Sequence, residues 1–237
     1  MKLAGLFNTI SFNTWLFCCL CLFSPISHSQ TPANFDALLA APADTAQLQQ
    51  LAEQLDMGTN AQGQFTQARY LKVLQKPLVS QGTFFFKAEV GLAWLQQTPF
   101  ESGLVLTQGT LVQIDSEGQR QISHASDNQQ ASGVAQMMPG LMSALLQGQL
   151  APLAEQFSLH LIKQQQTWQL GLVPLDPLLA KAMQAIVLEG EQQLNSLTLL
   201  NHNGDRSLIT FEQISSAPLT QTQLDYFATS AEPARAP

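Results

Sequence analysis

Apolar positions recur along this chain with two different periods. In "TAQLQQLAEQL", Leu48, Leu51, Ala52 and Leu55 fall on one side of a helical repeat. That predicts a helix with Asp44 as its N-cap and Gly58 at its end. From Phe65 the period becomes two. Phe65, Gln67, Arg69, Leu71 and Val73 share one face, and Thr66, Ala68, Tyr70, Lys72 and Leu74 the other. Strand patterns continue in "GTFFFKAE", "GLAWLQQ", "SGLVLTQG" and "GTLVQIDSEGQRQISH", with turns expected at Gln108-Gly109 and Glu117-Gly118.

The middle returns to helical spacing. In "VAQMMPGLMSALLQGQLAPLAEQF" the apolar positions are Val134, Met138, Leu141 and Leu145, and Pro139-Gly140 divides the stretch into two short helices. Met137, Met138 and Met142 give it a side-chain chemistry that repacks easily. Strands resume in "FSLHLIKQ", "TWQLGLVP", "AIVLEGE", "LNSLTLLNHNGD" and "RSLITFEQI", with a helix in "DPLLAKAM" between them. Asn203-Gly204-Asp205 reads as a turn. Short turns between successive strands predict an antiparallel meander, so the fold class is α+β and mainly antiparallel β. Residues 30–43 read as a loose start, 30–230 as a single domain, and 231–237 as a disordered tail.

The N-terminus has its own pattern. Lys2 precedes the apolar run "WLFCCLCLF", which is short of the ~20 apolar residues that span a bilayer. Ser27 and Ser29 stand at −3 and −1 of a cut before Gln30. Residues 1–29 therefore read as a cleavable signal peptide, and the mature chain is expected to be exported as a soluble protein. None of Cys18, Cys19 and Cys21 follows a small residue as a lipid-attachment cysteine would, and all three leave with the signal. No disulfide, thiol nucleophile or thiolate metal site is then expected. Without Lys2, nine basic residues face 17 acidic ones, a net charge of −8. Nucleic-acid binding, which rests on cationic side chains at phosphates, is not expected.

Candidate chemistry is sparse. His124, His160 and His202 are not at metal-ligand spacing, and the chain lacks H-E-x-x-H, G-x-S-x-G, G-x-G-x-x-G and a P-loop. No enzymatic activity, metal or cofactor is expected. What remains is apolar surface on adjacent strands: Phe84, Phe86, Leu92, Trp94, Leu104 and Leu106. Each alone reads as ordinary core. Together, on a strongly bent sheet with few helices to fill it, they predict a cavity for acyl chains under a Met-rich lid. Each buried CH₂ contributes ~0.8 kcal/mol, so one long chain is worth on the order of 10 kcal/mol.

These motifs, in this order, resemble the LolA family of periplasmic carriers of outer-membrane lipoproteins. The resemblance rests on Leu55-Asp56 followed by Phe65-Thr66-Gln67, on "PLVSQGTFFFK" leading to Leu92-x-Trp94 and Pro99, on "LVLTQGTLVQID", and on the run from "TWQLGLVPLDP" through "NHNGD" to "RSLITFEQI". It covers nearly all of the mature chain. It implies an unclosed half β-barrel of about ten to eleven strands whose concave apolar face is capped by helices. It would place Leu92 and Trp94 at the apolar lining and Leu55 on the capping helix. Joined to the strand and lid positions read above, the expected lipid-binding cavity is Leu55, Phe65, Phe84, Phe86, Leu92, Trp94, Leu104, Leu106, Met138, Leu141 and Met142. The implied partners are lipoprotein acyl chains, an inner-membrane releasing complex and an outer-membrane acceptor, served by a monomer. Ala88 departs from the pattern: an arginine tied to lid-holding and release often follows the lysine there. Arg69 is a candidate substitute. The departure also resembles a divergent branch encoded with fatty-acid or polyene-lipid synthesis genes, whose cargo would be another lipid or a glycolipid.

Overall fold

The computed structural model describes residues 35–55, 58–107, 110–124, 141, 144, 145 and 148–228. The expected signal peptide 1–29, the expected tail 231–237, Val134, Met137, Met138, Pro139, Gly140, Met142 and the turn expected at Gln108-Gly109 lie outside them.

Eleven strands form one antiparallel sheet. The first six are β1 (Asn60–Tyr70), β2 (Leu78–Lys87), β3 (Gly91–Thr98), β4 (Ser102–Thr107), β5 (Thr110–Ile114) and β6 (Arg120–His124). The other five are β7 (Phe157–Gln164), β8 (Thr167–Pro174), β9 (Ala185–Gly190), β10 (Leu194–Leu200) and β11 (Arg206–Ser215). Their order is β6-β5-β4-β3-β2-β1-β11-β10-β9-β8-β7, so β6 and β7 are edges and the sheet does not close. The architecture is the α+β half-barrel expected from the sequence. The chain starts the sheet at its centre, meanders to one edge, crosses to the other through residues 125–156, and meanders back. β11 then pairs with β1, Phe211 opposite Phe65 and Arg206 opposite Tyr70.

Strand parity fixes two faces. The inner face carries the large core, in which Phe65, Phe84, Phe86, Leu92, Leu106, Leu161, Trp168, Leu170, Leu188, Leu197 and Ile209 are buried together. Helix α2 (Thr45–Leu55) lays Leu51 and Leu55 into it. So do helical positions Leu141, Ala144 and Leu145, and a 3-10 turn at Ala151–Glu155 adds Leu153. The outer face has two covers. Helix α1 (Asp36–Leu39) packs Leu38, with Phe35, on Val187. After helix α3 (Pro177–Ala182), the C-terminal α4 (Gln221–Asp225) and its flanks bring Leu219, Tyr226 and Phe227 over Phe85, Ala93, Val105 and Val112. With both faces covered, three consecutive phenylalanines of β2 are all buried.

Four expectations are corrected. Residues 30–43 contain α1, because Phe35 and Leu38 find an apolar patch on the sheet. β1 starts at Asn60, not Phe65; "NAQGQ" lacks apolar alternation because Ala61 and Gly63 lie opposite Phe86 and Phe84, whose rings need the room. Leu71 and Val73 fall beyond β1, in the turn that precedes Pro77. Arg69 pairs with Leu78 at the start of β2, whereas Ala88 follows its last residue. A ten-residue strand is ~30 Å long, so Arg69 does not take an arginine's place at Ala88.

Candidate functional site

Alternation in β3 and β4 turns Leu92, Trp94, Leu104 and Leu106 to the inner face, with Leu92 opposite Leu106 and Trp94 opposite Leu104. Two glycines make space for the neighbouring aromatics. A Cβ on Gly82 would stand 2.8 Å from the Phe65 ring and 2.0 Å from the Leu95 carbonyl oxygen; one on Gly63 would stand 3.0 Å from the Phe84 ring. With these rings seated close to the backbone, Phe65 stacks on Trp94 with centroids 3.7 Å apart. Phe211 meets Phe84 edge-on at 5.3 Å and Trp94 at 6.3 Å.

Of the residues expected at the site, Leu55, Phe65, Phe84, Phe86, Leu92, Leu106 and Leu141 are buried in one cluster, and Trp94 and Leu104 pack against it half-buried. Met138 and Met142 lie outside the described residues. Four of these line a pocket among the described residues. A pocket of about 800 Å³ is floored by Leu92, Trp94, Leu104 and Leu106 together with Leu199 of β10 and Ile209 of β11. That size falls within the range of ligand sites. Leu55, Phe65, Phe84 and Phe86 are its support rather than its surface. Leu199 and Ile209 were missed, although alternation in "LTLL" and "ITFE" already grouped Leu197 with Leu199 and Ile209 with Phe211.

The upper wall is amide-rich. Gln67 donates to Ser207 Oγ at 2.8 Å, and Gln96 to the Phe100 carbonyl at 2.9 Å. Gln113 and Gln121 face each other across β5 and β6. The charged lining residues are Asp115 and Arg120, both at the β5–β6 turn. Asp115 Oδ1 accepts the backbone N–H groups of Glu117 (2.9 Å) and Gln119 (2.8 Å). Arg120 donates to the Tyr226 carbonyl at 2.7 Å, on the outer side. The floor therefore offers apolar contact and neutral hydrogen bonding. Among the described residues no three His, Cys, Asp or Glu side chains group so as to hold a metal, and no helix is long and apolar enough to cross a membrane. His202 Nε2 lies 2.6 Å from the Ala180 carbonyl and His160 Nε2 3.2 Å from Ser158 Oγ, away from this pocket.

The chain is similar in structure to a chain of the Pseudomonas aeruginosa MucA/MucB complex, at 18% identity and TM-score 0.41, covering 78% of this chain and 62% of that one. It thus spans less than two thirds of that relative. A LolA superfamily protein from Nitrosomonas europaea is similar at 11% identity and TM-score 0.42, covering 78% of this chain and 100% of that one. No curated protein matches the sequence. Residues 40–210, from just after α1 to the middle of β11, match the family described as outer membrane lipoprotein carrier protein LolA-like, and the chain belongs to that family.

Proposed function

We propose that this protein is a periplasmic carrier that takes up the acyl chains of lipoproteins and shuttles them from the inner to the outer membrane, without a catalytic step. The observation that carries the reading is the 800 Å³ pocket floored by Leu92, Trp94, Leu104, Leu106, Leu199 and Ile209 on the inner face of an open sheet. Family membership supports it. Carriage needs only reversible burial: chains leave one bilayer for an apolar floor worth ~0.8 kcal/mol per CH₂ and return that energy at the other. An inner-membrane releasing complex and an outer-membrane acceptor would be its partners, with the protein acting as a soluble monomer.

A second reading keeps the pocket and changes the cargo to another lipid or a glycolipid. Its support is the wall of glutamines, suited to a neutral head rich in hydroxyl or amide groups, and Ala88. Native mass spectrometry of protein purified without detergent from its own host separates the two. A bound triacylated peptide supports lipoprotein carriage, a bound glycolipid supports the second reading, and a protein that arrives empty and refuses added acyl chains overturns both.

A further inference from the structure

The antiparallel order sends alternate connections to the same end of the sheet. One end collects the β1–β2, β3–β4, β5–β6, β8–β9 and β10–β11 connections. Every large apolar side chain that is exposed among the described residues lies at that end. Val73 (88% exposed) and Leu74 sit in the β1–β2 turn, above Leu78 and Val79 at the start of β2. Phe100 (76%) is in the β3–β4 turn. Leu175 and Leu178 (75%) are in the β8–β9 connection, Leu178 on α3. α3 is held over the β10–β11 turn by the His202–Ala180 contact, and that turn meets the β1–β2 turn where the Lys72 N–H donates to Asp205.

Cationic groups stand among these side chains. Arg69, Lys72 and Lys76 come from the first hairpin, Lys181 from α3, and Arg206 stacks over the Tyr70 ring at 4.1 Å. Two carboxylates stand beside them: Asp176 caps α3 through the N–H groups of Leu178 and Leu179, and Asp205 accepts from the Lys72 backbone N–H and the Asn203 amide. Glu101 adjoins Phe100, and Asp115 and Glu117 lie in the β5–β6 turn toward the edge of the sheet. Over the central hairpins and α3, five basic groups thus stand against two carboxylates, in a chain of net charge −7.

We propose that this end of the half-barrel docks on a bilayer surface bearing anionic headgroups, with Val73, Leu74, Phe100 and Leu178 entering the interface. Apolar tips on separate connections, with cations between them, match a headgroup layer over hydrocarbon, which offers the same two chemistries. Each lysine or arginine near an anionic leaflet contributes about fivefold in partitioning. The pocket lining climbs from Leu92 and Leu106 to Asp115 and Gln119 in the β5–β6 turn, so the pocket reaches the docking end. Docking goes beyond cargo binding and does not depend on it.

The test is vesicle flotation of the full protein. Vesicles of phosphatidylethanolamine with phosphatidylglycerol should retain it at least about tenfold better than phosphatidylcholine vesicles, with the difference shrinking at high salt. The Val73→Asp/Leu74→Asp/Leu178→Asp variant should lose retention about tenfold or more. Lys72→Gln/Lys76→Gln should lose only the preference for phosphatidylglycerol. All five positions are exposed, and far-UV circular dichroism checks the fold. Retention on neither vesicle overturns the proposal and leaves the patch to a protein partner. Equal retention of wild type and the triple variant overturns it too. A concentration-dependent dimer lost in the triple variant would assign the patch to a second copy, against the proposal.

Discussion

At Trp94, packing and binding use the same ring. One side stacks on Phe65, and the half-exposed remainder forms pocket floor. Trp94→Glu places a carboxylate where no cation lies within the floor, so acyl uptake should fall by more than about tenfold, read by titration with a fluorescent fatty acyl probe. Leu104→Phe is the gentler control: it keeps the floor apolar but narrows it, and should shift preference toward shorter chains. Gly82 tests the scaffold beneath. Gly82→Ala drives a methyl against the Leu95 carbonyl and the Phe65 ring, and should cost about 2–3 kcal/mol in urea unfolding. Uptake measured well below the new midpoint should change less than it does in Trp94→Glu.

Among elements, the outer-face cover is separable from the site. Tyr226 and Phe227 meet Phe85 edge-on at 5.5 and 5.7 Å, on the side of the sheet opposite the pocket. Tyr226→Ala/Phe227→Ala should lower stability by about 3 kcal/mol in urea unfolding and leave acyl affinity unchanged. This element also shows where sequence reading stops. α2 was legible because its stripe of leucines is local. α4 is a five-residue helix with almost no period, and only its capping box, Thr220 with Gln223, gave a sequence signal. The start of β1 was hidden because the apolar atoms that cover Ala61 and Gly63 belong to β2. The site followed the same division. Leu92, Trp94, Leu104 and Leu106 stand on one hairpin and were readable together. Leu199 and Ile209 join them only through the pairing of β11 with β1, between residues over a hundred positions apart in sequence.

For the whole molecule, the strand order sets a gradient of protection. β1 and β11 are paired on both sides, lie at the centre and carry Phe65, Ile209 and Phe211 into the core. β6 is a five-residue edge paired only with β5. Amide hydrogen exchange should be slowest in β1 and β11 and fastest in β6, and acyl binding should slow exchange in β3, β4 and β5 more than in β7 and β8. Uniform slowing across the sheet would mean that ligand acts on global stability and not at the pocket.

The position of β1 also constrains how the protein comes into being. A chain that emerges from its N-terminus can build β1 through β6 as one growing meander. The other flank of β1 must then wait for β11, the last strand made. Until it arrives, the half-built sheet shows a long edge of unpaired backbone and the bare rings of Phe65, Phe84 and Phe86, a surface inclined to pair with other chains. Closing so long a loop is slow. Newly made protein should therefore pass through a sticky, holdase-dependent interval that ends only when the final hairpin zips along β1.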